Sequence, residues 1–267
     1  MYFDIAMPLT LFFVTLLSVF LNEKTDRKLK SVLEERKFAL RDAILLLAAM
    51  AAMVSLIAFI PQMAIMTIFL FSYSTLLFIF TYLFSNKRWY VATLMPALFV
   101  FLYLFFNKTP IWSNYLINLY GVIFAILITL YLGSLFTWKT SLVFAVLLTI
   151  MDAILVFTGT MGSAATATIS LNLPVLITVQ TLPAVVLDGK IVYMRLGLGD
   201  LFFAGLLAIQ TFKTYGRNFA ILSVIAMATS FFIFEAVLLT YGPIAFPGTL
   251  MIICGWLPLA LWKRLKH

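Results

Sequence analysis

Residues 197–212 read GLGDLFFAGLLAIQTF, an almost unbroken apolar run with one carboxyl, Asp200, near its start. Similar apolar runs fill the rest of the chain: of its 267 residues, 64% are hydrophobic and only 10% are charged. A soluble domain carries about a quarter charged residues, so this chain lacks the polar surface that water requires. Because a helix needs roughly 20 apolar residues to cross a bilayer, the sequence predicts an all-α polytopic membrane protein.

Nine transmembrane helices are predicted, in a single domain that covers residues 1–267. Helices one to six fall within about 1–159, a connecting segment occupies 160–192, and helices seven to nine fall within about 193–262. The charged stretch 22–42, which mixes both signs, predicts a short amphipathic helix at the membrane surface. The predicted spans are roughly 5–21, 43–60, 64–84, 90–106, 115–136, 140–159, 193–212, 218–240 and 247–262.

The connecting segment contains a β-hairpin signal, VVLDGKIVY at residues 185–193. Asp188-Gly189 between two β-branched runs favours a type I′ turn, because Asp and Gly both tolerate positive φ angles. We therefore expect a small β-hairpin just before the seventh helix. A two-stranded hairpin is only marginally stable alone. Its unpaired edge is suited to accept a further strand from a partner.

Basic residues indicate how the chain is oriented in the bilayer. The odd-numbered loops and the C-terminus hold 15 of the 18 Lys and Arg residues, and the even-numbered loops hold only Lys108, Lys190 and Arg195. Because basic loops stay on the cytoplasmic side, the N-terminus is expected outside and the C-terminus inside. Basic residues placed between apolar runs are typical of topology signals. A nucleic-acid-binding protein would instead carry a basic face on a soluble surface.

Three acids fall inside the predicted spans: Asp152, Asp200 and Glu235. A carboxylate at the bilayer centre costs about 2.5–3.5 kcal/mol, so each one is a functional candidate. Asp152 lies about seven residues before the end of span six, and Asp200 about seven residues into antiparallel span seven. At about 1.5 Å per residue, both acids are expected near 10 Å below the same surface. The two carboxyls can therefore face each other.

Two facing carboxyls have a specific chemistry. They cannot both ionise cheaply, so they share a proton. One can then act as a base on water while the other, protonated, polarises a carbonyl group. Gly197 and Gly199 can loosen the helix start and admit the water that hydrolysis needs, or they can mark a close helix–helix contact. Glu235 is interpreted as an inward-facing, hydrogen-bonded structural residue or as part of the water path.

The motif Gly197-Leu198-Gly199-Asp200 at the start of a span, with an Asp one span earlier, resembles the GxGD intramembrane aspartyl proteases, presenilin and signal peptide peptidase. The nine-span count is similar, and the stretch 152–156, DAILV, is similar to the one that follows the first catalytic Asp. The resemblance implies that Asp152 and Asp200 are a catalytic pair that hydrolyses peptide bonds in transmembrane segments, with no cofactor. The compact connecting segment resembles that of archaeal members, which implies a prokaryotic cell membrane.

The sequence also departs from this family. Met151 stands where the family usually has Tyr, and PGTL at 247–250 stands where it has Pro-Ala-Leu, so only Pro247 is carried over, as a backbone feature near the pair. The orientation matches signal peptide peptidase, which implies type II transmembrane substrates or remnant signal peptides. Nothing in the sequence requires partner subunits. By the same resemblance, the strand before the motif binds substrate, through Lys190, Ile191, Val192, Tyr193 and Met194.

The composition excludes some other functions and leaves three alternatives open. With one Cys and one His, which is the last residue, the chain lacks both Ser/His proteolytic chemistry and an ordinary zinc site. A proton- or ion-coupled transporter remains an alternative, because transporters also carry intramembrane acids and glycines. A prepilin-peptidase-like enzyme shares the GxGD motif but has fewer spans. A non-catalytic membrane scaffold is the third alternative.

Overall fold

A computed structural model of the chain describes residues 4–32, 37–160, 162, 178–180, 185–187, 190–192, 195–241 and 246–266. Within them, Ile57–Phe59 form a 3₁₀ turn and Trp112–Leu116 a π-helical turn. The α-helices are α1 (Ala6–Val32), α2 (Leu40–Leu56), α3 (Gln62–Phe84), α4 (Trp89–Ala92), α5 (Leu94–Phe106), α6 (Ile117–Leu135), α7 (Trp138–Phe157), α8 (Leu198–Tyr215), α9 (Arg217–Tyr241) and α10 (Gly248–Leu265).

Six spans in the described part of the chain are long and apolar enough to cross a membrane. They are α1, α3, the α4–α5 pair taken together, α6, α7 and α9. Their outer faces carry large exposed apolar side chains such as Phe71 and Phe105, which lipid tails would cover. The chain is therefore a multi-pass helical membrane protein.

Helix α8 lies at the centre of the bundle. Every residue from 201 to 211 is buried, and α1, α6, α7, α9 and α10 all pack around it. A Cβ atom on Gly205 would lie 2.5 Å from Cγ2 of Thr129, so glycine lets α8 approach α6 closely. Gly255 does the same for α10, where a Cβ would lie 2.3 Å from the carbonyl oxygen of Ala226 on α9.

A second core joins α3 and α5 to α6. Tyr73, Phe99, Tyr103, Trp112 and Tyr120 form it, with the rings of Tyr73 and Phe99 in a T-shaped contact at 4.3 Å. The Tyr73 hydroxyl donates a hydrogen bond of 3.1 Å to the carbonyl oxygen of Tyr120. Edge-to-face aromatic pairs contribute beyond their buried area. This cluster therefore holds α3 and α5 against α6, which in turn packs against α8.

Among the described residues, four short strands precede α8 and form two separate antiparallel pairs. In the first pair Thr178 is opposite Gly197, and in the second Val185 is opposite Val192. The second pair covers the segment in which the sequence predicts a hairpin; its Asp188-Gly189 turn lies outside the described residues. The strands are β1 (Thr178–Gln180), β2 (Val185–Leu187), β3 (Lys190–Val192) and β4 (Arg195–Gly197).

Two sequence predictions about helix boundaries are wrong. Residues 22–32 do not form a separate surface helix, because α1 continues unbroken to Val32. Asp26 on this extension accepts a 2.8 Å hydrogen bond from Lys213 of α8, which ties it to the bundle. Helix α8 begins at Leu198 and not at residue 193, because the residues just before it are paired as β4 with β1.

Candidate active site

Asp152 lies on the inward face of α7. Ala145, Leu148, Asp152 and Leu155 are all buried and recur at the three- and four-residue spacing of one helix face. Asp152 is 8% exposed, and it precedes the last residue of α7, Phe157, by about 7–8 Å of helix rise. A carboxyl therefore occupies a position where the pattern of the helix calls for an apolar side chain.

Asp200 lies in the first turn of α8, as its third residue. Gly197 is the N-cap, with extended backbone angles of φ −62° and ψ 135°. The Asp200 carboxylate accepts a hydrogen bond from the backbone N–H of Gly197. An acid at the third helical position commonly makes this contact, which satisfies one of the free donors at the helix start. Asp200 is only partly buried.

The first turn of α10 contacts both acids through consecutive residues. The Thr249 hydroxyl donates a 2.6 Å hydrogen bond to Oδ2 of Asp152, and the Thr249 backbone N–H donates to the same oxygen at 3.4 Å. A Cβ atom on Gly248 would lie 2.6 Å from Cγ and from both carboxyl oxygens of Asp200. Helix α10, which begins after the N-cap Pro247, is therefore in contact with both acids.

Because the adjacent residues Gly248 and Thr249 contact Asp200 and Asp152 respectively, the two carboxyls lie close enough for their charges to repel each other. Like charges at short range favour a single shared proton over two ionised groups. The partial positive charges at the starts of α8 and α10 favour that single negative charge. The arrangement can therefore hold one carboxylate and one carboxylic acid side by side, the pair of states that acid–base hydrolysis needs.

The other motif residues have distinct surroundings. Leu198 is buried, whereas a Cβ atom on Gly199 would meet none of the described residues within 4 Å. Within the described part of the chain, the close helix contact considered for Gly199 is therefore wrong. Lys190, Ile191 and Val192 form β3, which pairs with β2. Tyr193 and Met194 lie outside the described part of the chain.

Glu235 on α9 is 4% exposed, as the expected inward-facing residue should be. The prediction that it is hydrogen-bonded is wrong for the described residues, where neither of its carboxyl oxygens has a partner. Asp4 is close enough to repel it, and Asp4 itself accepts a 2.8 Å hydrogen bond from the N–H of Ala6 at the start of α1. Glu235 therefore belongs to a second acidic region at the same end of the bundle.

Sequence reasoning missed Thr249 as a partner of Asp152. The signal was available in PGTL at 247–250, because a hydroxyl in the first turn of a span can reach a neighbouring helix. Among the residues that the structure describes, no three His, Cys, Asp or Glu side chains cluster as metal ligands. The chain matches no known family model and no characterised protein.

Proposed function

We propose that the chain is an intramembrane aspartyl protease of the GxGD type, with Asp152 and Asp200 as its catalytic pair. The observation that carries the proposal is that two acids from α7 and α8 lie together inside a membrane protein, with the first turn of α10 in contact with both. A buried pair of like charges is costly to stability. Such an arrangement is typical of catalytic sites, where shifted protonation is used.

The reaction follows from the shared proton. The ionised carboxylate takes a proton from water as the water oxygen attacks the carbonyl carbon of the peptide bond, and the protonated carboxyl gives its proton to the carbonyl oxygen. The tetrahedral diol then collapses: the C–N bond breaks, the nitrogen receives a proton from the carboxyl that took it from water, and the carbonyl re-forms as one diol hydroxyl gives its proton to the other carboxylate. All atoms are supplied by water and substrate, so no cofactor is required.

Access to the site also supports hydrolysis. Asp200 is partly exposed, and no described residue lies within 4 Å of the Cβ position of Gly199 immediately before it. Both water and an unwound substrate backbone need such an opening. Residues 190–194 are proposed to pair with that backbone as a strand; of these, residues 190–192 form β3, which within the described residues pairs with β2 alone.

The proposal includes nine membrane spans and a defined orientation in the bilayer. Helices α2, α8 and α10 have 17, 18 and 18 residues, close to the length that crosses a bilayer. With the six spans above they make nine, in a prokaryotic cell membrane, with the N-terminus outside and the C-terminus inside. This orientation favours type II transmembrane substrates or signal-peptide remnants. A C-terminal tag detected outside the cell would contradict it.

One observation favours a proton-coupled transporter as the second candidate. Glu235 is buried with no hydrogen-bond partner among the described residues, as a proton carrier can be. A transporter would also need a proton path to the opposite end of α8. There Gln210 and Lys213 are hydrogen-bonded to the carbonyl oxygen of Gly133 at the end of α6, which counts against such a path.

The test is cleavage by purified protein of a type II transmembrane peptide in detergent. Asp152→Ala and Asp200→Ala are each expected to lower the cleavage rate by about 10²–10⁴-fold, the usual contribution of an acid–base group. Asp42→Ala removes an acid that caps α2 and pairs with the exposed Arg41, so it is the matched control and should cleave normally. Variants of the pair that cut as well as wild type would contradict the proposal. Proton flux in liposomes that is lost in Glu235→Gln would then support the transporter.

A further inference from the structure

Thr249 is buried at the start of α10 and hydrogen-bonded to Asp152. It is the second residue of α10, 4% exposed, with its hydroxyl 2.6 Å from Oδ2 of Asp152. An O–H donor bonded to an ionised acceptor typically lies at about 2.5–2.7 Å. The Thr249 backbone N–H, one of the free donors at a helix start, reaches the same oxygen at 3.4 Å. One residue thus supplies two donors to one carboxyl oxygen.

The two acids are therefore treated differently by α10. Asp152 receives a hydroxyl donor, whereas Asp200 lies against Gly248, which has no side chain. Within the described residues, both donors from Thr249 go to Oδ2 of Asp152, and neither goes to Oδ1. A carboxyl held by one oxygen cannot rotate freely about its Cβ–Cγ bond, so the direction of the other oxygen is fixed as well.

We propose that Thr249 is a positioning residue for the hydrolysis: it holds Oδ2 of Asp152 so that Oδ1 is aimed at the attacking water. This role rests on the proposed protease function. It also explains how the Pro247-Gly248-Thr249 sequence serves the site, since glycine leaves room for one carboxyl and threonine fixes the other.

The experiment compares three substitutions at this position on the cleavage of the same type II transmembrane peptide. Thr249→Val keeps the shape of the side chain but removes the donor, Thr249→Ser keeps the donor but removes a methyl group, and Thr249→Ala removes both. Thr249→Val and Thr249→Ala are expected to lower kcat about 10- to 100-fold, the range for losing a hydrogen bond to a charged group. KM should change less than about twofold, because the hydroxyl acts on Asp152 and not on substrate. Thr249→Ser should retain kcat within about threefold.

The outcomes separate this role from both folding and the proposed function. Melting temperatures identify any variant that fails to fold, and Thr249→Ala replaces Thr249→Val if valine is not accepted. Normal kcat in a folded Thr249→Val or Thr249→Ala, or equal losses in Thr249→Ser and Thr249→Val, would overturn the positioning role while Asp152→Ala still abolished cleavage. A wild-type protein that cuts nothing overturns the proposed function and this role together.

Discussion

The two ends of α8 bury polar groups in opposite ways. At the C-terminal end, which we call the basic end, Lys213 Nζ donates to the carbonyl oxygen of Gly133 at 2.9 Å and to Asp26 at 2.8 Å. Gln210 Nε2 donates to Gly133 and Phe136 at 2.9 and 3.2 Å. About 20 Å away along the helix, Asp200 instead lies beside a like charge, at what we call the acidic end.

This difference indicates that the two ends of α8 have different roles. At the basic end, opposite charges and hydrogen-bond partners meet at the C-terminus of α6, where cations interact favourably with the helix dipole. At the acidic end, Asp152 and Asp200 repel each other, and Glu235 has no partner within the described part of the chain. Polar groups that oppose folding are kept only where another use outweighs their cost. The basic end should therefore govern stability and the acidic end should govern activity.

Removing the cation of the basic end should have the largest effect on stability. Lys213→Met deletes two hydrogen bonds, one of which is also a largely buried ion pair with Asp26; 22% and 15% of the two side chains are exposed. We expect a loss of about 2–3 kcal/mol, measured as a lower midpoint of unfolding in detergent. Lys30→Met is the control: Lys30 pairs with the same Asp26 but is 36% exposed, so it should cost below about 1 kcal/mol. Equal losses of stability in Lys213→Met and Lys30→Met would contradict the stabilising role assigned to the basic end.

Gln210→Met tests the uncharged part of the same end. Methionine keeps the size of the side chain but leaves the buried carbonyl oxygen of Phe136 without the donor that now satisfies it. Gly133 keeps the bond from Lys213, so the expected loss is smaller, about 1–2 kcal/mol. Thermal unfolding of the variant, alone and combined with Lys213→Met, measures it. Losses that simply add would show that the two side chains act independently at Gly133.

The acidic pair was predictable from the sequence because its two residues lie on consecutive helices joined by one connecting segment. Consecutive antiparallel helices and the counting of residues from a shared loop place Asp152 and Asp200 at the same end of the bundle. The predicted position of Asp200 within its helix was wrong, since residues 195–197 pair as a strand with residues 178–180 and Asp200 lies in the first turn. Strand pairing between segments that carry no clear strand pattern is a tertiary effect, and it moves the helix start to Leu198.

The partners of the polar groups could not be predicted for a related reason. Thr249 reaches Asp152 across 97 residues of sequence, and Lys213 reaches Asp26 across 187. No spacing rule within one helix encodes either contact. Asp26 in particular lies in a mixed-charge stretch for which the sequence predicts a separate surface helix, and only the packing of α1 against α8 brings it to Lys213. Sequence periodicity gives the buried faces, whereas which faces meet depends on the whole bundle.

Glu235→Met should change the free energy of unfolding least of these variants, and it should stabilise the protein. The Glu235 carboxyl is buried, has no hydrogen-bond partner in the described chain and is repelled by Asp4. Methionine has a similar length and is apolar, so the substitution removes an unfavourable polar group. We expect a gain of about 1 kcal/mol, seen as a higher melting temperature. Glu23→Met on the exposed face of α1 is the control, with a change within about 0.5 kcal/mol. A destabilised Glu235→Met would show that this acid belongs with the stabilising groups.

Cleavage and melting temperature measured together on wild type, Asp200→Ala and Lys213→Met test the central claim most directly. Asp200→Ala should lose cleavage by at least about 10²-fold while its melting temperature stays at or above that of wild type. Lys213→Met should melt earlier yet cleave at a near-normal rate per folded molecule at a temperature where it is folded. An Asp200→Ala variant that still cleaves, or that loses stability as much as Lys213→Met does, would contradict the account.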